Sequence, residues 1–173
     1  MRLALTFMLL VASALPAAWA DTGWVEIRVT DHRAGIGDFA AFWVQLARVS
    51  LHPRGQPRGQ SWVPILQQAV GVDIVPLKDG RWSILGRKPV PATGYDAVKV
   101  RFGDVRGELQ QGGLAEVVPQ DATVRVDIAV EPETTRAILI DLYVEDLGDH
   151  KPGLYAVKVR EIQASDAGPA QVR

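Results

Sequence analysis

Residues 42 to 51 read Phe-Trp-Val-Gln-Leu-Ala-Arg-Val-Ser-Leu and form the longest mainly apolar run after the first twenty residues. Val44 and Leu46 alternate with more polar neighbours, as on a half-buried β-strand. The alternation then slips by one residue, so the next apolar pair can share their face only if Ala47 and Arg48 together oppose one residue of a partner strand. That arrangement is a β-bulge. The run therefore predicts a bulged central strand around which the other strands pack.

Five further stretches alternate apolar and polar residues with the period of two that half-buried strands show. They are residues 24–30, 95–102, 124–130, 138–144 and 155–159. The five-residue loop between the third and fourth stretches predicts that these two strands pair as an antiparallel hairpin. An Asp-Gly dipeptide at residues 79 and 80, between shorter apolar runs, predicts a second hairpin.

About eight short strands, with turn residues between them and no convincing helical pattern, predict an all-β fold. The favoured architecture is an antiparallel two-sheet sandwich, immunoglobulin-like or transthyretin-like. A small β-barrel is the alternative. One domain is expected over residues 21–162, and residues 163–173 have no period and are predicted to be a flexible C-terminal tail.

The first twenty residues have the pattern of a secretory signal peptide. Arg2 is followed by the apolar residues 3–15, and Ala18-Trp19-Ala20 is a small-x-small cleavage site. The apolar core is too short for the roughly 20 residues that span a bilayer. We therefore expect cleavage after Ala20, a periplasmic or secreted protein, and no transmembrane segment in the remaining chain.

Composition excludes several classes of function. The chain has no cysteine, which excludes disulfides, thiol catalysis and thiolate metal sites. Removing Arg2 with the leader reduces the 19 basic residues to 18, against 20 acidic residues, so the remaining chain has a formal charge of −2. Nucleic-acid binding usually requires a strongly basic face, so nucleic acid is not an expected partner.

Several short pieces occur in an order that resembles a known family. They are Thr30-Asp31, the segment 44–52 ending in Leu51-His52, Trp62, Asp73-Ile74-Val75, Ala92-Thr93-Gly94-Tyr95 leading to Lys99-Val100-Arg101, and Leu139-Ile140-Asp141-Leu142. Their order resembles DUF4382, a family of secreted bacterial domains of unknown function. The chain departs from the family pattern at His32 and Tyr143. The resemblance implies a secreted β-sandwich and carries no assigned activity or cofactor.

Histidine and acidic residues raise the alternative of a divalent-metal site, although no cofactor is required by the sequence. The three histidines are at positions 32, 52 and 150. His32 and His52 each end a predicted strand, and Asp31 is adjacent to the first of them. Two imidazoles and a carboxylate can bind a divalent metal if the fold brings them together. The sequence does not determine whether it does.

Four residues are candidates for binding a partner. Trp24 and Trp43 lie on the faces opposite the main aliphatic ones, where they can form an aromatic platform for a sugar or a protein. Arg54 and Arg58 belong to a repeated Pro-Arg-Gly-Gln loop, which is either a basic finger for an anionic polymer or lipid headgroup, or a solvated hairpin tip.

These observations favour a non-enzymatic binding or interaction domain whose partner is an envelope protein, a polymer or a surface. A metal- or small-ligand-carrying protein is the first alternative, and a hydrolase is the second. Ser50 and Ser61 flank His52, but the chain lacks the Gly-x-Ser-x-Gly turn of many serine hydrolases.

Asp141 lies within an apolar strand and is expected to pair with a cation on a neighbouring strand.

Overall fold

The computed structural model describes residues 21–32, 35–149 and 152–167, and these residues form ten β-strands and no α-helix. Two short 3-10 turns lie at Ile36–Asp38 and Val75–Leu77. The strands are β1 (Thr22–His32), β2 (Phe39–Pro53), β3 (Val63–Leu66), β4 (Val70–Asp73), β5 (Ser83–Pro91), β6 (Gly94–Leu109), β7 (Leu114–Gln120), β8 (Ala122–Ala129), β9 (Thr135–Asp146) and β10 (Leu154–Asp166). The all-β prediction is confirmed.

The central strand is β2, which pairs with β3 and β4 on one side and with β6 on the other. Its predicted bulge is present. Leu46 is opposite Phe102 and Arg48 is opposite Arg101, so Ala47 is the extra residue on β2. Because of this bulge the apolar residues before and after it share one fully buried face; they are Phe42, Val44, Leu46, Val49 and Leu51.

The strands form one continuous sheet in the order β3-β2-β6-β7-β10-β9-β1-β5, with β4 on β2 and β8 on β6. Strand β7 joins the two halves because it pairs with β6 at one end and with β10 along most of its length. The pairing is mixed, since β1 with β9 and β7 with β10 are parallel. The prediction of a purely antiparallel sheet is wrong.

The two ends of this strand order meet. The Lys88 ammonium group on β5 donates to the Pro64 carbonyl oxygen on β3 (2.7 Å), and Gly86 is packed directly against the Leu66 side chain. The sheet is therefore nearly closed, and the alternative prediction of a β-barrel describes it better than the favoured sandwich. A barrel and a sandwich share the same alternation of inward and outward residues, so the pattern alone could not separate them.

Neither predicted hairpin forms. Strand β8 pairs with β6, and β9 pairs with β1 and β10, so β8 and β9 are not hydrogen-bonded to each other. The Asp79-Gly80 turn does have positive φ angles, 73° and 76°, as a tight turn of this composition requires. However, the flanking strands β4 and β5 pair with β2 and β1, respectively.

The C-terminal part of the domain extends further than predicted. Strand β10 continues to Asp166 and stays in register with β9, with Gln163 opposite Leu139 and Asp166 opposite Arg136. Residues 163–166, predicted to belong to a flexible tail, are therefore part of the sheet. The rest of that tail from residue 168, and the predicted signal peptide, lie outside the described residues. The described part of the chain contains no helix with the length and apolarity to cross a membrane.

Candidate functional site

A groove of about 410 Å³ lies on the outer face of the sheet beside the central strand. We call it the Trp43 groove, and it is lined by Trp43, Val44, Gln45, Gly71, Asp104 and Arg106. Strand β2 forms its floor, with β4 on one side and β6 on the other, because Trp43 is opposite both Asp73 and Arg106. The groove is therefore built on hydrogen-bonded strands and not on loops.

Trp43 is the main apolar surface of this groove and is 52% exposed. Its ring carbons lie over Gly71, where a Cβ atom added to the glycine would be 3.6 Å from Cε3 and 3.7 Å from Cζ3. Those distances are ordinary van der Waals contact, so the backbone of β4 supports the indole ring. The ring is thus held in place on one side while half of the side-chain surface faces solvent.

Polar groups beside the ring are available for a ligand. The N–H of Asp104 donates to the Gln45 side-chain oxygen (3.2 Å), which fixes the amide at the groove floor. Glycine at position 103 leaves room for that amide, which a Cβ atom would displace. Among the described residues, the Asp104 carboxylate and the Arg106 guanidinium have no ion-pair or hydrogen-bond partner, and both residues are exposed.

The other three described tryptophans are each covered by a cation. Arg87 lies 4.7 Å from the Trp24 ring centroid, Arg28 lies 4.0 Å from Trp82, and Lys99 lies 4.1 Å from Trp62. In the described part of the chain, Trp43 has no such cation. Trp24, on β1, is 37% exposed and lies on the other half of the sheet, so Trp24 and Trp43 do not form one surface.

The basic loop after β2 is tied to the neighbouring strands. The main-chain N–H of Arg54 donates to the Gly94 carbonyl oxygen (2.9 Å), and its guanidinium forms an ion pair with Asp127 on β8. The Arg58 carbonyl oxygen accepts a hydrogen bond from the Trp62 indole N–H (3.1 Å). Both arginines are exposed, and the loop is fastened at both ends.

His52 is fully buried beside this loop. Its Nδ1 lies 2.7 Å from Asp96 Oδ1, and its Nε2 lies 3.3 Å from the Pro57 carbonyl oxygen. The hydrogen bond with His52 is the largest of the influences that lower the pKa of the Asp96 carboxyl. Because the second ring nitrogen faces a carbonyl oxygen and not a serine hydroxyl, the His52–Asp96 pair does not activate either flanking serine.

His52 lies near the beginning of β6, since the adjacent Pro53 is opposite Tyr95, and this is the end of the sheet where β1 starts. His32 and Asp31 lie at the other end of β1. The Ala92 N–H, just before β6, donates to the Asp21 carbonyl at the start of β1 (2.7 Å), whereas His32 is the last residue of that strand. An eleven-residue strand is roughly 36 Å long. The structure therefore does not bring His52 together with the other two proposed metal ligands. No described group of three or more His, Asp or Glu residues could hold a metal ion, and His150 lies outside the described residues.

Asp31 is the most unusual ionisable group in the described residues. It is 5% exposed, and neither carboxylate oxygen has a hydrogen-bond partner. Burial, with a smaller contribution from the nearby charge of Asp141, raises the pKa of Asp31 to about 8. The carboxyl is therefore largely protonated at neutral pH, as expected where desolvation disfavours the charged form.

The predicted partner for Asp141 is present. Arg160 on β10 donates to Asp141 Oδ2 (2.9 Å), and the same guanidinium nitrogen lies 2.8 Å from His32 Nδ1. Asp31, His32 and Asp141 line a second outer groove of about 560 Å³. The unpartnered oxygen atoms of Asp31 and Asp141 are buried away from solvent, so this groove does not present them to a ligand.

Comparison with known proteins identifies the family. A model of the family described as "Domain of unknown function (DUF4382)" matches residues 22–155, which include nine of the ten strands in full and the beginning of β10. The chain belongs to this family. No curated protein and no solved structure matches this DUF4382 chain. The family description assigns no activity to the domain.

Proposed function

We propose that this DUF4382 domain is a non-enzymatic binding domain that acts outside the cytoplasm and takes its ligand in the Trp43 groove. The observation that carries the proposal is the half-exposed Trp43 ring, supported by Gly71 and flanked, within the described residues, by the unpaired side chains of Asp104 and Arg106. An aromatic face with a few convergent polar groups is the usual composition of a ligand site. The extracytoplasmic part of the proposal rests on the signal-peptide pattern of residues 1–20.

Rigidity and exposed apolar area also support a binding role for this face. The groove floor is β2, which is paired with three other strands, so a ligand would meet groups that are already in position. Preorganised groups lose little conformational entropy on binding, which favours affinity. A large exposed aromatic side chain on such a strand is otherwise an unfavourable surface, because it leaves apolar area in water.

Replacing Trp43 by alanine is expected to reduce affinity for the natural ligand at least tenfold, since loss of an aromatic anchor commonly costs about 2 kcal/mol or more. The measurement is retention of the purified protein on soluble envelope polysaccharides by affinity electrophoresis, together with pull-down from an envelope extract. Trp24→Ala is the matched control and should keep affinity within about twofold. Equal loss in both variants, or no loss in Trp43→Ala, would contradict the proposal.

A further inference from the structure

A second feature of the same outer face is a row of basic side chains, which we call the basic strip. It consists of Arg48 on β2, Lys99 and Arg101 on β6, and Arg125 on β8. The three arginines are exposed and Lys99 is partly exposed. Strands β2, β6 and β8 are neighbours in the sheet, and Arg125 is opposite Ala97, one outward position along β6 from Lys99. The strip thus crosses three strands.

Like charges face each other directly in this strip. Arg48 and Arg101 are opposite each other in the β2–β6 ladder, an arrangement that destabilises a sheet when no anion lies between them. Within the described residues, Arg48, Arg101 and Arg125 have no hydrogen-bond or ion-pair partner. The Lys99 ammonium lies over the Trp62 ring at 4.1 Å. The chain as a whole has a formal charge of −1, so these clustered, uncompensated cations are a local feature.

No described acidic residue forms an ion pair with an arginine of the strip. Asp127 forms its ion pair with Arg54, and Asp121 accepts the Phe102 N–H (3.0 Å). Asp104 lies further along β6, in the Trp43 groove. A bound anion would therefore supply the ion-pair partner that the described chain does not give these arginines.

The strip continues directly from the Trp43 groove. Trp43 and Arg48 are five residues apart on β2, roughly 17 Å along an extended strand. A ligand that contacts both the Trp43 groove and the basic strip must be elongated, with a ring that can stack on Trp43 and negative groups that can pair with the arginines. Linear chains of acidic sugars have these properties. Their rings stack on indole, and their carboxylates can accept two parallel hydrogen bonds from an arginine guanidinium.

We propose that the Trp43 groove and the basic strip together bind an acidic polysaccharide, with carboxylate groups between Arg48 and Arg101 and a sugar ring on Trp43. The inference rests on the proposed function for the Trp43 part and adds the class of ligand. Membrane insertion fits this face less well, because the side chains of the basic strip are charged and, in the described residues, Trp43 is the one exposed aromatic ring beside them.

The double variant Arg48→Gln/Arg101→Gln tests the ligand class. Polygalacturonate is the probe, dextran is the neutral comparison, and a single-stranded DNA oligonucleotide and vesicles of phosphatidylcholine with phosphatidylglycerol are the other anionic surfaces. The purified protein should bind polygalacturonate and not dextran, and binding should weaken as salt is raised. The double variant should lose about tenfold in affinity, as expected for two exposed charged contacts.

Two controls make the result specific. Arg81→Gln/Arg87→Gln changes the net charge equally on the β1–β5 side of the sheet and should leave affinity within about twofold. The Arg48→Gln/Arg101→Gln protein should unfold at the same temperature as the parent or higher, because the variant removes a like-charge contact. A folded variant with a binding defect therefore reports on the ligand.

Each contrary outcome has a distinct meaning. If Trp43→Ala weakens binding of an envelope ligand but the arginine double variant does not, the inference is wrong and the proposed function stands. If neither Trp43→Ala nor the arginine double variant affects binding, the inference and the proposed function are both wrong. Equal binding to dextran, binding only to DNA or vesicles, or no binding to polygalacturonate overturns the acidic-polysaccharide assignment.

Discussion

Replacing Asp31 by asparagine is expected to stabilise the folded protein at alkaline pH. The carboxyl is buried without a hydrogen-bond partner, and its pKa in the folded state is about 8, above the ordinary value of 3.8. Between these values the folded chain keeps a proton that the unfolded chain has released. The free energy of unfolding of the parent should therefore fall as the pH rises from about 4 to about 8.

The variant has no carboxyl at this position, so it lacks this dependence. At pH 9, Asp31→Asn should be more stable than the parent by roughly 2–4 kcal/mol, and near pH 4 the two should be nearly equal. Urea unfolding of both proteins at several pH values measures the difference. Asp149→Asn, at an exposed acid, is the control and should track the parent. A constant difference between Asp31→Asn and the parent across the pH range would show that Asp31 does not carry a raised pKa.

Replacing His52 by alanine is expected to destabilise the protein by roughly 2–4 kcal/mol at pH 7. The substitution leaves a cavity where a fully buried ring packed 5.1 Å from the Trp62 ring, and it removes two hydrogen bonds. One of them fastens the Pro57 carbonyl of the basic loop. The loop should consequently become a site of proteolytic cleavage.

Chemical unfolding gives the stability difference, and limited trypsin digestion followed by mass spectrometry locates the cut. Cleavage is expected after Arg54 or Arg58, since trypsin cuts after basic residues. His32→Ala is the matched control, because His32 is partly exposed and contacts the Arg160 guanidinium and the nearby Tyr143 ring at the surface. A loss below about 1 kcal/mol for His52→Ala, or the same cleavage in both variants, would show that His52 does not hold the loop.

Strands can be located from this sequence because one face of each is buried. The alternation before and after Ala47 and Arg48 predicts the β2 bulge to the residue, and Asp141 within an apolar strand predicts a cation, which the structure identifies as Arg160. The alternation does not predict which strands pair with each other or whether a pair is parallel or antiparallel. A half-buried strand has the same alternation of apolar and polar residues whether its neighbour is parallel or antiparallel. The parallel pairing of β1 with β9 therefore has no signature in the sequence of either strand.

The candidate site is predictable only in part. Trp43 stands out because it is a large aromatic residue on the face of the strand that otherwise carries the more polar side chains. Asp104 and Arg106 lie in residues 103–119, where no clear pattern is present, because β6 is irregular at Gly103 and leaves the simple alternation there. The basic strip is hidden for a related reason: Arg48 and Arg101 are 53 positions apart, and only the register of β2 against β6 makes them neighbours.

The most direct test of the binding role is to follow the indole N–H signals of the protein by nuclear magnetic resonance during titration with oligogalacturonate. The four tryptophans after the predicted leader, at positions 24, 43, 62 and 82, give distinct probes, assigned by single replacement with phenylalanine. We expect the Trp43 signal to shift most and to saturate, while the signals of Trp24 and Trp82 stay unchanged. A largest shift at Trp24 or Trp82, or no shift at Trp43 while an envelope-derived ligand binds, would contradict a binding role for the Trp43 groove.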